Sequence, residues 1–300
     1  MKSFLFMLGM ILSLNLACTS IVEKIGGSDS VSDEEQVDQQ GSNVNDQQPR
    51  PETKWLLYLG PGYLKSFAHV GFLNEISKEG WEPDFIMASG LSSVMAGAYA
   101  RNSKAGDLEW QLSKLPSSAL EKSSWFGKKQ KSIQDWSEIL EKLFSRYKST
   151  SDFKLPFACE AVNEFEYGNR LFEDGSSIDN IKRCSSESPF MTSYKGWQSA
   201  KVGRYAKIKE LKDLGIRVVY VSVLDAQDFK KNKNNLGSSG EQYLMALQIS
   251  EEKKISQLVD FYVSVGTSGM RLDDSSSKRK LISKGQRSAK DFLNQFTELD

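Results

Sequence analysis

The sequence predicts an α/β fold, a three-layer α/β/α arrangement with a mostly parallel central sheet, on three observations. Strand-like and helix-like segments alternate along the chain. The strand-like runs, such as IRVVYVSVL (216–224), are nearly continuous apolar and β-branched stretches, as expected of strands covered on both faces. Residues 83–100, PDFIMASGLSSVMAGAYA, read as a strand, a sharp turn and a helix of small residues. The chain has 300 residues, 39% of them hydrophobic, and a formal net charge of zero, with a pI near 6.7. That balance suits one domain with a substantial core and excludes the strongly basic composition of a nucleic-acid binder. No internal repeat is present.

From the N-terminus, Met1-Lys2 precedes an apolar run from Phe4 to Leu14 and then NLACTS, the layout of an export signal. The run is too short to span a bilayer as a mature helix. Leu14-Asn15-Leu16-Ala17-Cys18 resembles the bacterial lipobox, in which cleavage before the cysteine leaves a lipidated N-terminal Cys18; Asn15 departs from it. The same run also fits an ordinary secretory signal that contains a cysteine. Residues 19–52 are acidic, rich in Ser, Gln, Asp and Asn, and too poor in large apolar side chains to offset the entropy of ordering, so they read as a tether. A coil of that length spans on the order of 30 Å. The division is therefore a signal at 1–17, a tether from Cys18 to 53 and one folded domain over 54–300.

The domain opens with an apolar strand, Trp55–Leu59, and a Gly-Pro-Gly turn. A helix follows, with Phe67, Val70, Phe72, Leu73 and Ile76 at helical spacing and an end at Gly80. After the strand–turn–helix unit comes SSWFGKKQKSIQDWSEILEKLF (123–144), a loop leading into an amphipathic helix that sets Ile133, Trp136, Leu140, Leu143 and Phe144 on one face. Trp125, Phe126 and the lysines either touch a membrane interface or belong to a solvated loop. Strands are expected within 153–165, 216–224 and 260–266, and a helix over 204–215. Cys159 and Cys184 either form a disulfide outside the cytoplasm or serve as small buried hydrophobes.

The unit at 83–100 has the build of a nucleophile elbow, where a serine sits on a strained tip between glycines. Here the frame reads Ala88-Ser89-Gly90-Leu91-Ser92, with glycine at the tip. The stretch LGPGYLKSFAHVGFL resembles the oxyanion segment of patatin-like phospholipases, and the resemblance runs from about residue 54 to 298. In that register Gly60, Gly62 and Lys65 match the oxyanion loop, Tyr63 and Ser66 stand where glycines are expected, and Gly90 falls on the nucleophile. GSSIDNIKRCSSESP (175–189) is similar to the segment preceding the family's catalytic aspartate, which puts SAKV (199–202) on the D-G-G turn and Ser199 on the aspartate. LISKGQRSAKDFLNQF resembles the family's closing helix.

The family's chemistry is a Ser–Asp dyad, and the resemblance implies a patatin-like domain in which both dyad positions, Gly90 and Ser199, are degenerate. The implied protein is membrane-anchored through Cys18 in a bacterial cell envelope. It binds an acyl lipid or a protein partner rather than hydrolysing lipid. Two other readings stay open. One is an active lipid acyl hydrolase using Ser89 or Ser92 with Asp174; the other is a structural envelope protein. Asp174-Gly175 lies early in the chain for the dyad aspartate and reads as a turn. Ser89 and Ser92 flank the tip and read as turn and helix-cap residues. The single histidine, His69, reads as a packing residue, and neither a metal nor another cofactor is implied.

Overall fold

The computed structural model describes residues 54–113, 131–166, 168–224, 239–268 and 270–297. The signal, Cys18, the tether, and Trp125 and Phe126 lie outside the described residues. Seven strands form one sheet: β1 (Trp55–Leu59), β2 (Phe85–Ser89), β3 (Phe157–Asn163), β4 (Asn169–Phe172), β5 (Trp197–Ser199), β6 (Arg217–Ser222) and β7 (Phe261–Ser264). Five run parallel in the order β3-β2-β1-β6-β7. Both β4 and β5 pair antiparallel with β3. The fold class is the one the sequence predicts, a three-layer α/β/α arrangement, but β4 and β5 are additions. At four residues and three, NRLF and WQS are too short and too polar to carry a strand signal.

The helices are α1 (Phe67–Lys78), α2 (Ser92–Ala100), α3 (Gly106–Ser113), α4 (Ser137–Phe144), α5 (Ser177–Ser185), α6 (Arg204–Asp213), α7 (Ser239–Ile255) and α8 (Lys278–Thr297). The helix expected around 133–144 is divided: a capping box of Ser132 and Asp135 starts a 3₁₀ turn over Ile133–Trp136, and α4 continues from it. Its predicted apolar face is buried, with Trp136 1% exposed.

Because side chains alternate along a strand, the sheet has two unlike faces. Leu57, Leu59, Ile86, Ala88, Cys159, Val219 and Val221 enter the main apolar cluster with residues of α1, α2, α5 and α8. On the opposite face, Tyr58, Tyr220 and Tyr262 lie side by side across β1, β6 and β7, their rings stacked at 5.2 and 5.8 Å. Fully buried Arg204 of α6 joins them through the Tyr220 hydroxyl at 2.9 Å and the α7 carboxylates of Glu252 at 2.9 Å and Glu251 at 3.3 Å. Glu160 of β3 accepts from the Tyr58 hydroxyl at 3.2 Å. A buried guanidinium is tolerated only where carboxylates surround it, as here.

On the apolar side α1 and α8 meet backbone to backbone. A Cβ on Gly71 would lie 1.9 Å from the Ile282 carbonyl oxygen, and one on Gly285 would lie 1.8 Å from that of Ala68. Each helix thus presents a glycine where the other's backbone arrives. Cys159 and Cys184 form a disulfide, tying β3 to α5, so the alternative left open by the sequence resolves to a bridge.

Candidate functional site

The site lies at the carboxyl ends of β1 and β2. Strand β2 ends at Ser89, the turn follows at Gly90 with φ +72°, and α2 starts at Ser92. Glycine tolerates that left-handed backbone at no steric cost. A Cβ on Gly90 would sit 2.6 Å from Glu187 Oε2 and 2.9 Å from Pro61 Cβ. The space in front of the tip is therefore filled by a carboxylate that belongs to neither the elbow nor the loop.

Glu187 stands in the turn after α5 and is 4% exposed. Its Oε2 accepts hydrogen bonds from Tyr63 N–H at 3.1 Å and Leu91 N–H at 3.0 Å. These amides come from the Gly-Pro-Gly loop and from the residue after the tip, the two places that supply an oxyanion hole in an elbow enzyme. Tyr63 holds its amide there from a left-handed φ of +47°, and its ring stacks on Phe190 at 4.4 Å, three residues beyond Glu187. Burial raises the Glu187 carboxyl above its usual range, against the opposing pull of the Lys201 ammonium and the two amides. Lys201 also donates to the Ser188 carbonyl.

The residues matched to the oxyanion loop take other tasks. Gly60 N–H bonds the Val221 carbonyl at 2.9 Å, continuing the central β1–β6 ladder at its carboxyl end. Gly62 has no room for a side chain, because a Cβ there would meet Val223 at 2.3 Å. Lys65 is fully buried and donates to the Thr267 carbonyl at 3.2 Å.

Ser199 lies on β5, one register step past the β3 residue that faces the end of β2. The β3 residue beside Ser89 is Glu160, and the next, Ala161, pairs with Ser199 of β5, so β5 takes up the edge of β3 where β2 leaves it. Ser89 Oγ donates to the Ala200 carbonyl, clamping the turn to this strand. Ser199 Oγ, 2% exposed, has no hydrogen-bond partner. Ser92 Oγ donates to the Gly60 carbonyl at 2.6 Å and lies 2.8 Å from Ser66 Oγ, which must then be the donor between them. Gly60 O also lies 2.9 Å from His69 Nε2; a carbonyl can only accept, so Nε2 carries the proton. Burial lowers His69 to about 4, and its ring is neutral at pH 7. Asp174 sits apart, on the exposed turn after β4, bonded to Ser149 Oγ at 3.0 Å.

Beside Glu187 is a cavity of about 20 Å³, lined by Gly62 and Lys201 and by the apolar Phe190, Leu224, Met245 and Leu272. It has room for about one water and none for an acyl chain. Among the described residues no group of His, Cys, Asp and Glu is placed to hold a metal ion, and no helix is long and apolar enough to cross a membrane. Sequence reasoning missed Glu187. It sits in the polar run SSESP, remote in the chain from both amides, and no local pattern marks it.

No protein-family model matches the chain, and no curated protein matches it. Among solved structures the chain is similar to VipD from Legionella pneumophila, at 9% identity and a TM-score of 0.39, over 82% of this chain and 67% of that one. It is also similar to the heterodimeric ExoU–SpcU complex from the type III secretion system of Pseudomonas aeruginosa. There the identity is 12% and the TM-score 0.41, and the match covers 91% of this chain but only 61% of the other.

Proposed function

We propose that the chain is a patatin-like domain that has lost lipid acyl hydrolysis and acts by binding, held at a membrane of the bacterial envelope through lipidated Cys18. The observation that carries this reading is Gly90 at the elbow tip, with the Glu187 carboxylate on the amides that a hydrolase would turn toward its substrate. A hydrolase needs a nucleophile, a base and an open oxyanion hole. The tip has no side chain, the residue matched to the family's aspartate is Ser199, and the donors are already used. The ligand class carried by this reading is an acyl lipid or a protein partner. The disulfide supports an oxidising compartment, and Cys18→Ser should move the protein from the membrane fraction to the soluble one; unchanged fractionation would count against the anchor.

The competing hydrolase would use Ser89 or Ser92, yet both hydroxyls donate to backbone carbonyls and neither bonds a carboxylate. The test is turnover of p-nitrophenyl esters and phospholipid by wild type, Ser89→Ala, Ser92→Ala and Asp174→Asn, with fluorophosphonate labelling alongside. Background rates throughout and no labelling are expected. Robust wild-type turnover that disappears in one variant would install that residue in an active site and end the non-hydrolytic reading.

A further inference from the structure

Helix α8 buries an apolar stripe and turns a polar side of one sign to solvent. Residues 278–297 hold six Lys and Arg against one Asp, in a chain whose cationic and acidic residues balance at 39 each. At helical spacing Arg279, Lys280, Arg287 and Lys290 fall opposite the buried Leu281, Gly285, Ala289 and Phe292, and all four are exposed. Lysines on α4 and α6 are paired within their helix, Lys142 with Glu138, Lys207 with Glu210 and Lys209 with Asp213. On α8, Arg279, Lys280 and Arg287 form no ion pair with any described residue. Lys290 and Lys78 of α1 share the one carboxylate of Glu75, 3.4 Å from both. A groove lined by Lys78, Arg287 and Lys290 carries the positive surface across to α1. Beside it a second groove is lined by Trp81, Leu293 and Phe296, so an aromatic rim adjoins the cations, with Glu79 and Asp291 as the acids at the border. The chain enters the domain next to this rim, since the ring of Trp55 packs 5.0 Å from that of Phe296.

We propose that this face of α8 is a docking surface for an anionic lipid bilayer, with the four cations on lipid phosphates and Trp81 and Phe296 at headgroup level. Cations spread along a helix and not converging on one point suit many mobile headgroups rather than a single bound anion. Basic residues edged by aromatic ones are also the composition that binds at a membrane interface. Each Lys or Arg brought to such a surface is worth about fivefold in affinity. The aromatic rim lies at the amino end of β1 and the elbow at its carboxyl end, so the contact uses no part of the elbow. A chain leaving the domain beside α8 reaches the same surface without crossing the fold. The inference extends the membrane placement proposed above from Cys18 to the folded domain, and it does not require lipid on Cys18.

In the experiment the full chain is mixed with phosphatidylglycerol vesicles and, separately, with phosphatidylcholine vesicles, and trace acylation of lysines is read by mass spectrometry alongside cosedimentation. Phosphatidylglycerol should slow acylation of Lys280 and Lys290 at least about fivefold relative to phosphatidylcholine, while exposed Lys209 of α6, the helix on the other face of the sheet, is unchanged. Raising the salt from about 0.1 M to about 1 M should remove the protection. In the variant Arg279→Gln/Lys280→Gln/Arg287→Gln, whose changes all lie on the solvent side, Lys290 should return to its phosphatidylcholine rate. Equal acylation with the two lipids, or protection that survives the triple variant or high salt, would overturn the proposal. Protection already present without vesicles would assign the face to an acidic peptide segment or a second copy and overturn it too. Cosedimentation with phosphatidylcholine reads the Cys18 anchor by itself: its absence removes the anchor, and lysine protection on phosphatidylglycerol still decides the docking surface.

Discussion

Gly90 is held by two requirements at once, a positive φ and a crowded front. Gly90→Ser alone should cost about 1–2 kcal/mol for the left-handed backbone, with the contact to Glu187 Oε2 in addition. The pair Gly90→Ser with Ser199→Asp, which restores both dyad side chains, should stay at background on p-nitrophenyl butyrate because Glu187 still fills the oxyanion amides. Adding Glu187→Ala to that pair should raise turnover at least about tenfold, since single oxyanion donors are worth more than that in working enzymes. A pair as active as the triple variant would show that Glu187 obstructs nothing. The strand–turn–helix unit is legible in the sequence because strand, turn and small-residue helix follow one another within a few residues. Glu187 is not, because its role exists only after β3, α5 and the loop at residues 60–62 have come together.

The sheet itself divides along the same line between local and non-local information. Strands β1, β2 and β6 announce themselves as apolar runs, and the paired antiparallel additions do not. Nor does alternation alone reveal that Tyr58, Tyr220, Tyr262 and Glu160 share a polar face around Arg204, since each reads locally as an ordinary strand residue. Burial raises Glu160 to about 7, against the lowering influence of Arg204 and Tyr58. An acid whose folded value lies above its unfolded one binds its proton more tightly when folded. Its contribution therefore favours the fold at low pH, declines as pH rises from about 4.5 to about 7, and is fully unfavourable above. Glu160→Gln should remove that slope while keeping an acceptor for Tyr58, leaving the variant relatively more stable above pH 7 by about 1–3 kcal/mol. Parallel urea midpoints of wild type and variant from pH 4.5 to 8 would check this, and a difference independent of pH would refute it.

At the scale of the whole described domain, its first α-helix and its last meet backbone to backbone. Gly285→Ala would drive a methyl group into the Ala68 carbonyl, a collision with backbone that cannot rotate away. The expected loss is about 3 kcal/mol, the upper end of overpacking costs, or about 6–12 °C in Tm for a domain of this size. Calorimetry showing an unchanged Tm would mean that the two helices can separate freely. Neither glycine's partner was visible in the sequence, although α8 was expected as a closing element. The feature also bears on the order of assembly. As the chain emerges from the ribosome, α1 is made well before α8, which completes its seat, so the groove around Gly71 stays open to solvent and to other apolar surfaces until α8 has followed. Nascent or C-terminally truncated chains are thus the form in which this protein is most exposed to chaperones and to aggregation.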